Sequence, residues 1–218
     1  MTRLEIRTLI LDWLDDSQSG YFSQATVNVW INLAQREVQK KLLQAGNNYY
    51  LKPVTTSTVA QQADYVLPTD FITLHRLEAV LSGTGVNENR QPITQITTNQ
   101  QDLVSISLGP PTNYYLKKDR VTLSPTPDQV YTLRLYYSPR VADLSADADV
   151  PDVPEQFMEF VAIIAAYNGF IKDDRAPANL VEKKKYYEKL LDEMASERNQ
   201  DVSRQVVITQ DYDNGFCW

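Results

Sequence analysis

The spacing of apolar residues near the start of the chain predicts a pair of helices. Thr2 followed by Glu5 forms a capping box, and the apolar residues after it recur at helical spacing. These residues are Ile6, Leu9, Ile10, Trp13 and Leu14. Ser23 is a suitable N-cap for a second helix, and Gly46 stands where a glycine C-cap belongs. The apolar stripe of the second helix comprises Val27, Trp30, Ile31, Ala34, Val38 and Leu42.

The middle of the chain changes to short runs that are typical of strands. From about residue 55 to residue 137 it is rich in Thr, Val, Tyr, Gln, Gly and Pro, with turn residues between the runs. The run "STVAQQADYVLP" predicts two strands around a hairpin tip, and "NYYLKKDRVTLSPTP" predicts a hairpin that turns at residues 117–119. In "VYTLRLYYSPR" alternate residues are apolar, so one face of this strand is expected to be buried. Together the runs predict a small antiparallel sheet or sandwich.

Two more helices are predicted after a polar connection. Pro154 and Glu155 suit the first turn of a helix, and "EQFMEFVAIIAAYNGFI" is apolar nearly all round, which predicts the most buried element. A fourth helix, "LVEKKKYYEKLLDEMASERNQ", has a narrow apolar stripe. Because neither helical pair alone can cover the third helix, we expect the two pairs to pack together.

The predicted fold is therefore α+β. Residues 1–50 and 151–200 are expected to form a four-helix bundle, made from the N- and C-terminal helical pairs. Residues 51–150 are expected to form an inserted β domain, the small antiparallel sheet or sandwich. Residues 201–218 are expected to form an extended C-terminal docking tail.

Composition and charge exclude several kinds of site. Cys217 is the only cysteine and His75 the only histidine, so an intramolecular disulfide is impossible and a zinc or haem site would be short of ligands. The 218 residues carry a formal net charge of −7, which argues against a surface that neutralises phosphates. Glu5, Arg7 and Asp12 interrupt the apolar residues of the first segment, so neither a signal peptide nor a membrane span is expected. We expect a protein that is made in the cytoplasm and is soluble there.

Five local patterns admit both a functional and a structural interpretation, and the structural one is favoured for each. His75 lies in a predicted strand without a second histidine or a motif. The acidic runs "DADVPD" and "DYDNG" invite a calcium site, but neither has the glycine and glutamate spacing of an EF-hand loop. The run "SGTGVNENR" lacks a phosphate-binding motif, and in "EKKKYYEK" Glu182 and Glu188 dilute a basic patch. No catalytic residue, cofactor site or metal site is assigned.

Three segments, read together, point to a known family. They are "WINLAQREVQKKL", "DYVLPTDFITLHRLEAV" and "RVTLSPTPDQVYTLRLYYSPRVADLSADADVPDVPEQFMEFVAIIAAY". A Leu-Pro turn precedes a strand, a Ser-Pro turn precedes "LRLYYSP", and a Val-Pro-Glu helix start leads into an Ala-rich helix. In this order, over roughly residues 20 to 195, the sequence resembles the head-to-tail adaptor proteins of short-tailed bacteriophages, akin to tail tubular protein A.

The resemblance implies a virion structural protein without enzymatic activity or cofactor. Such a protein forms a ring, by this resemblance a homododecamer, that joins the portal protein to the tail nozzle protein. The ring continues the DNA channel, and DNA passes through it without specific binding. The resemblance further implies a location at the head-tail junction after assembly in the host cytoplasm, with no membrane partner.

The last segment, "RQVVITQDYDNGFCW", combines a strand-like run with an apolar end. We expect it to be mobile in the free monomer and ordered on the portal or a neighbouring subunit, where a strand added to a sheet edge gains main-chain hydrogen bonds. The alternative is a tail folded back onto its own bundle. The residues expected to bind are Val206, Val207, Ile208, Tyr212, Phe216 and Trp218.

Two other classes of function stay open at this point. One is a β-sandwich receptor- or glycan-binding module that grips its ligand with tyrosines of the β region. The candidate tyrosines are Tyr114, Tyr115, Tyr136 and Tyr137. The other is an enzyme of unknown type.

Overall fold

The computed structural model describes residues 1–16, 18, 20–46, 48–83, 85–97, 107–174 and 177–203, with residues 195–203 described as helix backbone only. These residues contain four α-helices and seven β-strands. The chain divides into two compact units. The helical unit comprises Met1–Asn47 and Asp143–Trp218, and the sheet unit comprises Asn48–Ala142.

The helical unit contains α1 (Arg3–Trp13), α2 (Gln24–Gln44), α3 (Met158–Lys172) and α4 (Ala178–Ser203). The capping box before α1 is confirmed, because the Thr2 hydroxyl accepts the backbone N–H of Glu5 at 3.2 Å and the Glu5 carboxylate accepts that of Thr2 at 2.8 Å. Ser23 caps α2 in the same way, accepting the backbone N–H of Thr26. After α2, Gly46 has a φ of +71°, a conformation that favours glycine.

Helix α3 lies at the centre of the helical unit, as its all-round apolar sequence predicts. Nine of its fifteen residues are buried, and α1, α2 and α4 all pack against it. At Gly169 a Cβ atom would lie 2.8 Å from a methyl group of Leu14 and 3.1 Å from the ring of Trp30. The missing side chain therefore lets the end of α1 and the side of α2 approach α3 closely.

The sheet unit holds seven strands in one curled sheet, a half-barrel. The strands are β1 (Lys52–Ser57), β2 (Asp64–Val66), β3 (Phe71–Ser82), β4 (Asn89–Gln95), β5 (Asn113–Lys117), β6 (Arg120–Ser124) and β7 (Thr132–Pro139). Their order across the sheet is β1-β7-β3-β4-β5-β6-β2, and every neighbouring pair is antiparallel except β4 and β5. Alternate residues of β3, β4 and β7 bury their apolar side chains in one core, which includes Leu77, Ala79, Ile93, Leu133 and Leu135.

The predicted hairpin of "NYYLKKDRVTLSPTP" is confirmed, and the structural interpretation of "SGTGVNENR" agrees with the fold. Strands β5 and β6 pair from Asn113 to Lys117 and turn at residues 118–119. The run "SGTGVNENR" forms the turn between β3 and β4, where Gly83 has a φ of +84°. A Cβ atom at Gly83 would lie 2.1 Å from the carbonyl oxygen of Asn87, so only glycine fits this turn.

The prediction of a small antiparallel sheet or sandwich is wrong, although the α+β class fits. Strands β1 and β2 do not pair as the predicted hairpin requires: β1 lies at one edge beside β7, and β2 lies at the other edge beside β6. The β4–β5 pair is parallel, and parallel neighbours need a long connection, here residues 96–112. The segment "TNQQDLVSI" within that connection lies outside the described residues. Short strands with similar alternation carry no local mark of their partners, so the sequence did not reveal this pairing.

The central position of α3 gives a test with an internal control. Replacing the fully buried Ile163 with Ala is expected to lower the free energy of unfolding by about 2–5 kcal/mol, because it leaves a cavity. Ile171 is in the same helix but is 58% exposed, and replacing it with Ala is expected to change the free energy of unfolding by less than about 0.5 kcal/mol. Urea unfolding of the two variants measures both values. Similar losses for both variants would contradict the described packing of α3.

Candidate functional site

The single histidine makes a contact that looks like part of a catalytic dyad. His75 is the extra residue of a β-bulge in the register between β3 and β7, and its Nε2 lies 2.7 Å from Ser138 Oγ. Ser138 is completely buried, whereas a nucleophile must be reachable by its substrate. The carboxylate of Asp70 accepts a hydrogen bond from the Tyr137 hydroxyl and is thus engaged elsewhere. The contact fits the structural interpretation of His75.

The acidic run "DADVPD" has a structural role that its sequence did not reveal. Asp147 accepts two hydrogen bonds from Arg7, at 2.8 and 2.9 Å, and one from Arg3 at 2.7 Å. Both guanidinium groups are largely buried, and their hydrogen bonds, those of Arg7 first, hold the pKa of Asp147 well below its usual range. The contacts tie α1 to the connection that leads back from the sheet.

The neighbouring Asp149 is also occupied. Its carboxylate accepts the backbone N–H groups of Ser145 and Ala146, both at 2.7 Å, and these bonds lower the pKa of Asp149. Neither carboxylate is free for calcium, and within the described ranges no three His, Cys, Asp or Glu side chains are grouped to hold a metal. The second acidic run, "DYDNG", lies outside the described residues.

Two lysines and one tyrosine of "EKKKYYEK" contact α3. Lys183 and the Tyr187 hydroxyl both donate to Glu159, at 2.9 and 2.7 Å, and the ring of Tyr187 stacks on Phe160. Burial, and then the hydrogen bond to Glu159, raises the pKa of Tyr187 to about 12. Lys184 lies over the ring of Tyr167, 4.6 Å from its centroid. These contacts support the structural interpretation of this run over nucleic-acid contact.

The four tyrosines proposed for glycan binding do not form one exposed surface. Tyr114 and Tyr137 are buried in the sheet unit, where burial raises the pKa of both phenols. Tyr115 is half-buried and lies under Lys117, 5.2 Å from the ring centroid, and Tyr136 is half-buried on β7. A sugar ring needs exposed aromatic faces to stack on, so this arrangement does not favour the glycan-binding alternative.

One face of the sheet carries a charged cluster that the sequence patterns did not predict. Glu88 accepts hydrogen bonds from Arg134 at 2.7 Å and from Arg90 at 2.8 Å, and Glu78 pairs with Arg76. One carboxylate oxygen of Glu78 is buried without a hydrogen-bond partner in the described structure. Three arginines and two carboxylates nearly neutralise one another, so the cluster links neighbouring strands and is not a basic patch. Residues 76, 78 and 134 alternate with core residues in the sequence. This alternation is the signal that could have placed the three charged side chains on the opposite face of the sheet from the core.

The outward sides of α1 and α2 carry large apolar side chains at the surface. On α2, Val29 is 56% exposed and Leu33 48%, and both lie off the buried stripe of that helix. At the start of the chain, Met1 is 41% exposed and Leu4, in α1, 47%. We call these four residues the outer apolar residues. Neighbouring apolar side chains at a surface mark contacts with other chains, and the amphipathic pattern alone did not single them out.

The predicted binding residues of the tail are not among the described residues. They are Val206, Val207, Ile208, Tyr212, Phe216 and Trp218. No described helix has the length and apolar character needed to cross a bilayer.

An exposed apolar surface and structurally occupied polar groups are typical of a protein that works by assembling with other chains. A sequence model of the SU10 adaptor protein family matches residues 1–209, and the chain belongs to this family. The resemblance to head-to-tail adaptors of short-tailed phages is thereby confirmed, and the chain is a phage structural adaptor. No curated protein matches the sequence.

The Asp147 contacts predict a pH-dependent loss of stability. Asp147→Asn is expected to lower the urea midpoint at about pH 7, because two buried guanidinium groups lose their counter-charge. The pKa of an Asp is about 3.9 in an unfolded chain, and that of Asp147 is lower in the folded chain. The carboxylate therefore stabilises the fold above about pH 4, and this contribution is lost as the pH falls towards the folded pKa.

Urea midpoints of the wild type and of Asp147→Asn at about pH 7, 5 and 3 measure this effect. The difference between them is expected to be largest at the two higher values and to shrink at the lowest. Asp192→Asn is the matched control, since Asp192 is exposed and has no ion pair with any described residue. A midpoint difference that does not change with pH would contradict the assigned role of Asp147.

Proposed function

We propose that twelve copies of this chain form a ring that joins the portal protein to the tail nozzle protein at the head-tail junction. Membership of the adaptor family supports the role of a connecting protein in the virion. The observation that carries the proposal is the set of outer apolar residues on α1 and α2, because such side chains are stabilised by burial against another chain. The ring assembles in the host cytoplasm.

The charge of the chain supports a channel through which DNA passes without specific binding. The sheet unit holds eight basic and seven acidic residues, whereas the helical unit holds thirteen basic and twenty-one acidic residues. Protein–DNA affinity rises with the number of phosphates that Lys and Arg neutralise. Three of the five arginines of the sheet unit are paired with Glu78 or Glu88, which leaves fewer basic groups for phosphates.

We further propose that the tail docks on the portal or on a neighbouring subunit. Val206, Val207, Ile208 and Thr209 are consecutive β-branched residues, which favour a strand and so suit addition to a sheet edge. In a ring, identical tails engage a symmetric partner together, and this raises their effective concentration. The docking residues are Val206, Val207, Ile208, Tyr212, Phe216 and Trp218.

Truncation tests the tail. A variant that ends at Gln205 is expected to unfold at the same temperature as the full chain but to lose attachment to the portal protein of the same phage, measured by co-sedimentation. The double variant Phe216→Ala and Trp218→Ala keeps the length of the chain and is expected to weaken attachment. If the truncated chain attached to the portal protein as strongly as the full chain, the docking proposal would be contradicted.

A further inference from the structure

The outward side of α2 carries an apolar stretch followed by a positive charge. Val29 and Leu33 are four residues apart and lie opposite the buried stripe. Lys40 follows seven residues after Leu33, about 11 Å further along the helix. It is exposed and forms no ion pair with any residue the structure describes. Arg36, by contrast, is already paired with Asp143.

The outward side of α1 carries the complementary arrangement, an apolar stretch followed by a negative charge. Met1 and Leu4 line a groove of about 680 Å³, together with Thr8, Leu9, Leu11 and Gln24. Asp12, also at this groove, follows eight residues after Leu4, about 12 Å further along the helix. Asp12 is exposed and has no ion pair in the described part of the chain, whereas the Glu5 carboxylate is engaged in the capping box.

The two sides match in order, spacing and sign of charge. We propose that α1 of one subunit packs side by side and parallel with α2 of the next copy of this chain. Leu4 then contacts Val29 and Leu33, and Asp12 of one copy lies beside Lys40 of the other. The separations of about 12 Å and about 11 Å between the apolar and charged positions agree within one residue's rise.

This contact is heterologous, because each subunit uses two different surfaces. Repeating such a contact builds a closed ring or an open filament, never a simple pair. The occupant of the α1 groove is thus a second copy of this chain. The inference rests on the proposed ring and names the lateral interface within it. Two copies of α1 facing each other would instead place Asp12 near other carboxylates, which disfavours self-pairing of that surface.

Cross-linking distinguishes this interface from a symmetric one. In full-length protein with Cys217→Ser, cysteines are introduced as Leu4→Cys, as Leu33→Cys, or as both, and are treated with a short bismaleimide. Facing helices lie about 8–10 Å apart, within reach of such a linker. The double variant is expected to give a ladder of dimers, trimers and larger species on a denaturing gel, and neither single variant is expected to cross-link. A double variant that stays monomeric, or dimers from either single variant, would overturn the interface.

Charge reversal separates failure of the interface from failure of the ring. Asp12→Lys and Lys40→Asp are each expected to weaken self-association about tenfold, because like charges then face each other, and the double variant is expected to restore it. Glu182→Lys, an exposed change on α4, is the control and is expected to have no effect. Sedimentation velocity measures assembly, and circular dichroism checks that each variant is folded. Rings that still form after both single reversals would refute this interface alone, and an unmodified chain that never assembles, either alone or with the portal protein, would refute the proposed ring as well.

Discussion

Helix α3 must be covered on nearly every side, and the rest of the structure depends on this requirement. Its buried residues include Phe160 on one side and Ile163 and Ala166 on others, so no single neighbouring helix can exclude water from it. Helices α1 and α2 from the start of the chain and α4 from its end together cover it. Along the sequence, the sheet unit is inserted between the residues of these two halves of the helical unit. Arg3 and Arg7 fix the returning chain through Asp147, at the point where that insertion ends.

The same requirement explains which surface is left for other chains. The buried residues of α1 and α2 pack against α3. The apolar residues on the outward sides of these helices remain exposed, so they do not stabilise the isolated subunit. Polar groups that looked chemically active are occupied within the fold: Ser138 by His75, Asp149 by its own loop, and Glu159 by α4. Assembly is thus the activity that the described surface supports best.

The helices could be read from the sequence because their signals are local. The capping box at Thr2, the Ser23 cap and Gly46 each act within one turn, and the all-round apolar run of α3 predicted its burial. The sheet could not be read in the same way. Pairing of β1 with β7 joins residues that are about eighty positions apart, and the parallel β4–β5 pair depends on a long connection.

The sequence identified the outer apolar residues only in part. Val29 and Leu33 are apolar, but the amphipathic pattern of a helix marks its inward residues and does not distinguish the apolar residues on its outward side. The hydrogen bonds from Arg7 to Asp147 join residues that are 140 positions apart, so the sequence alone could identify the acidic run only as a loop. The tail residues from Val206 to Trp218 stay a prediction.

Native mass spectrometry of the full-length chain, alone and mixed with the portal protein of its phage, measures the number of copies that assemble. We expect a closed ring of twelve copies, each of 24.9 kDa, either free or bound to the portal. A chain that remains monomeric under both conditions and forms no complex with the portal would contradict the assembly proposed here.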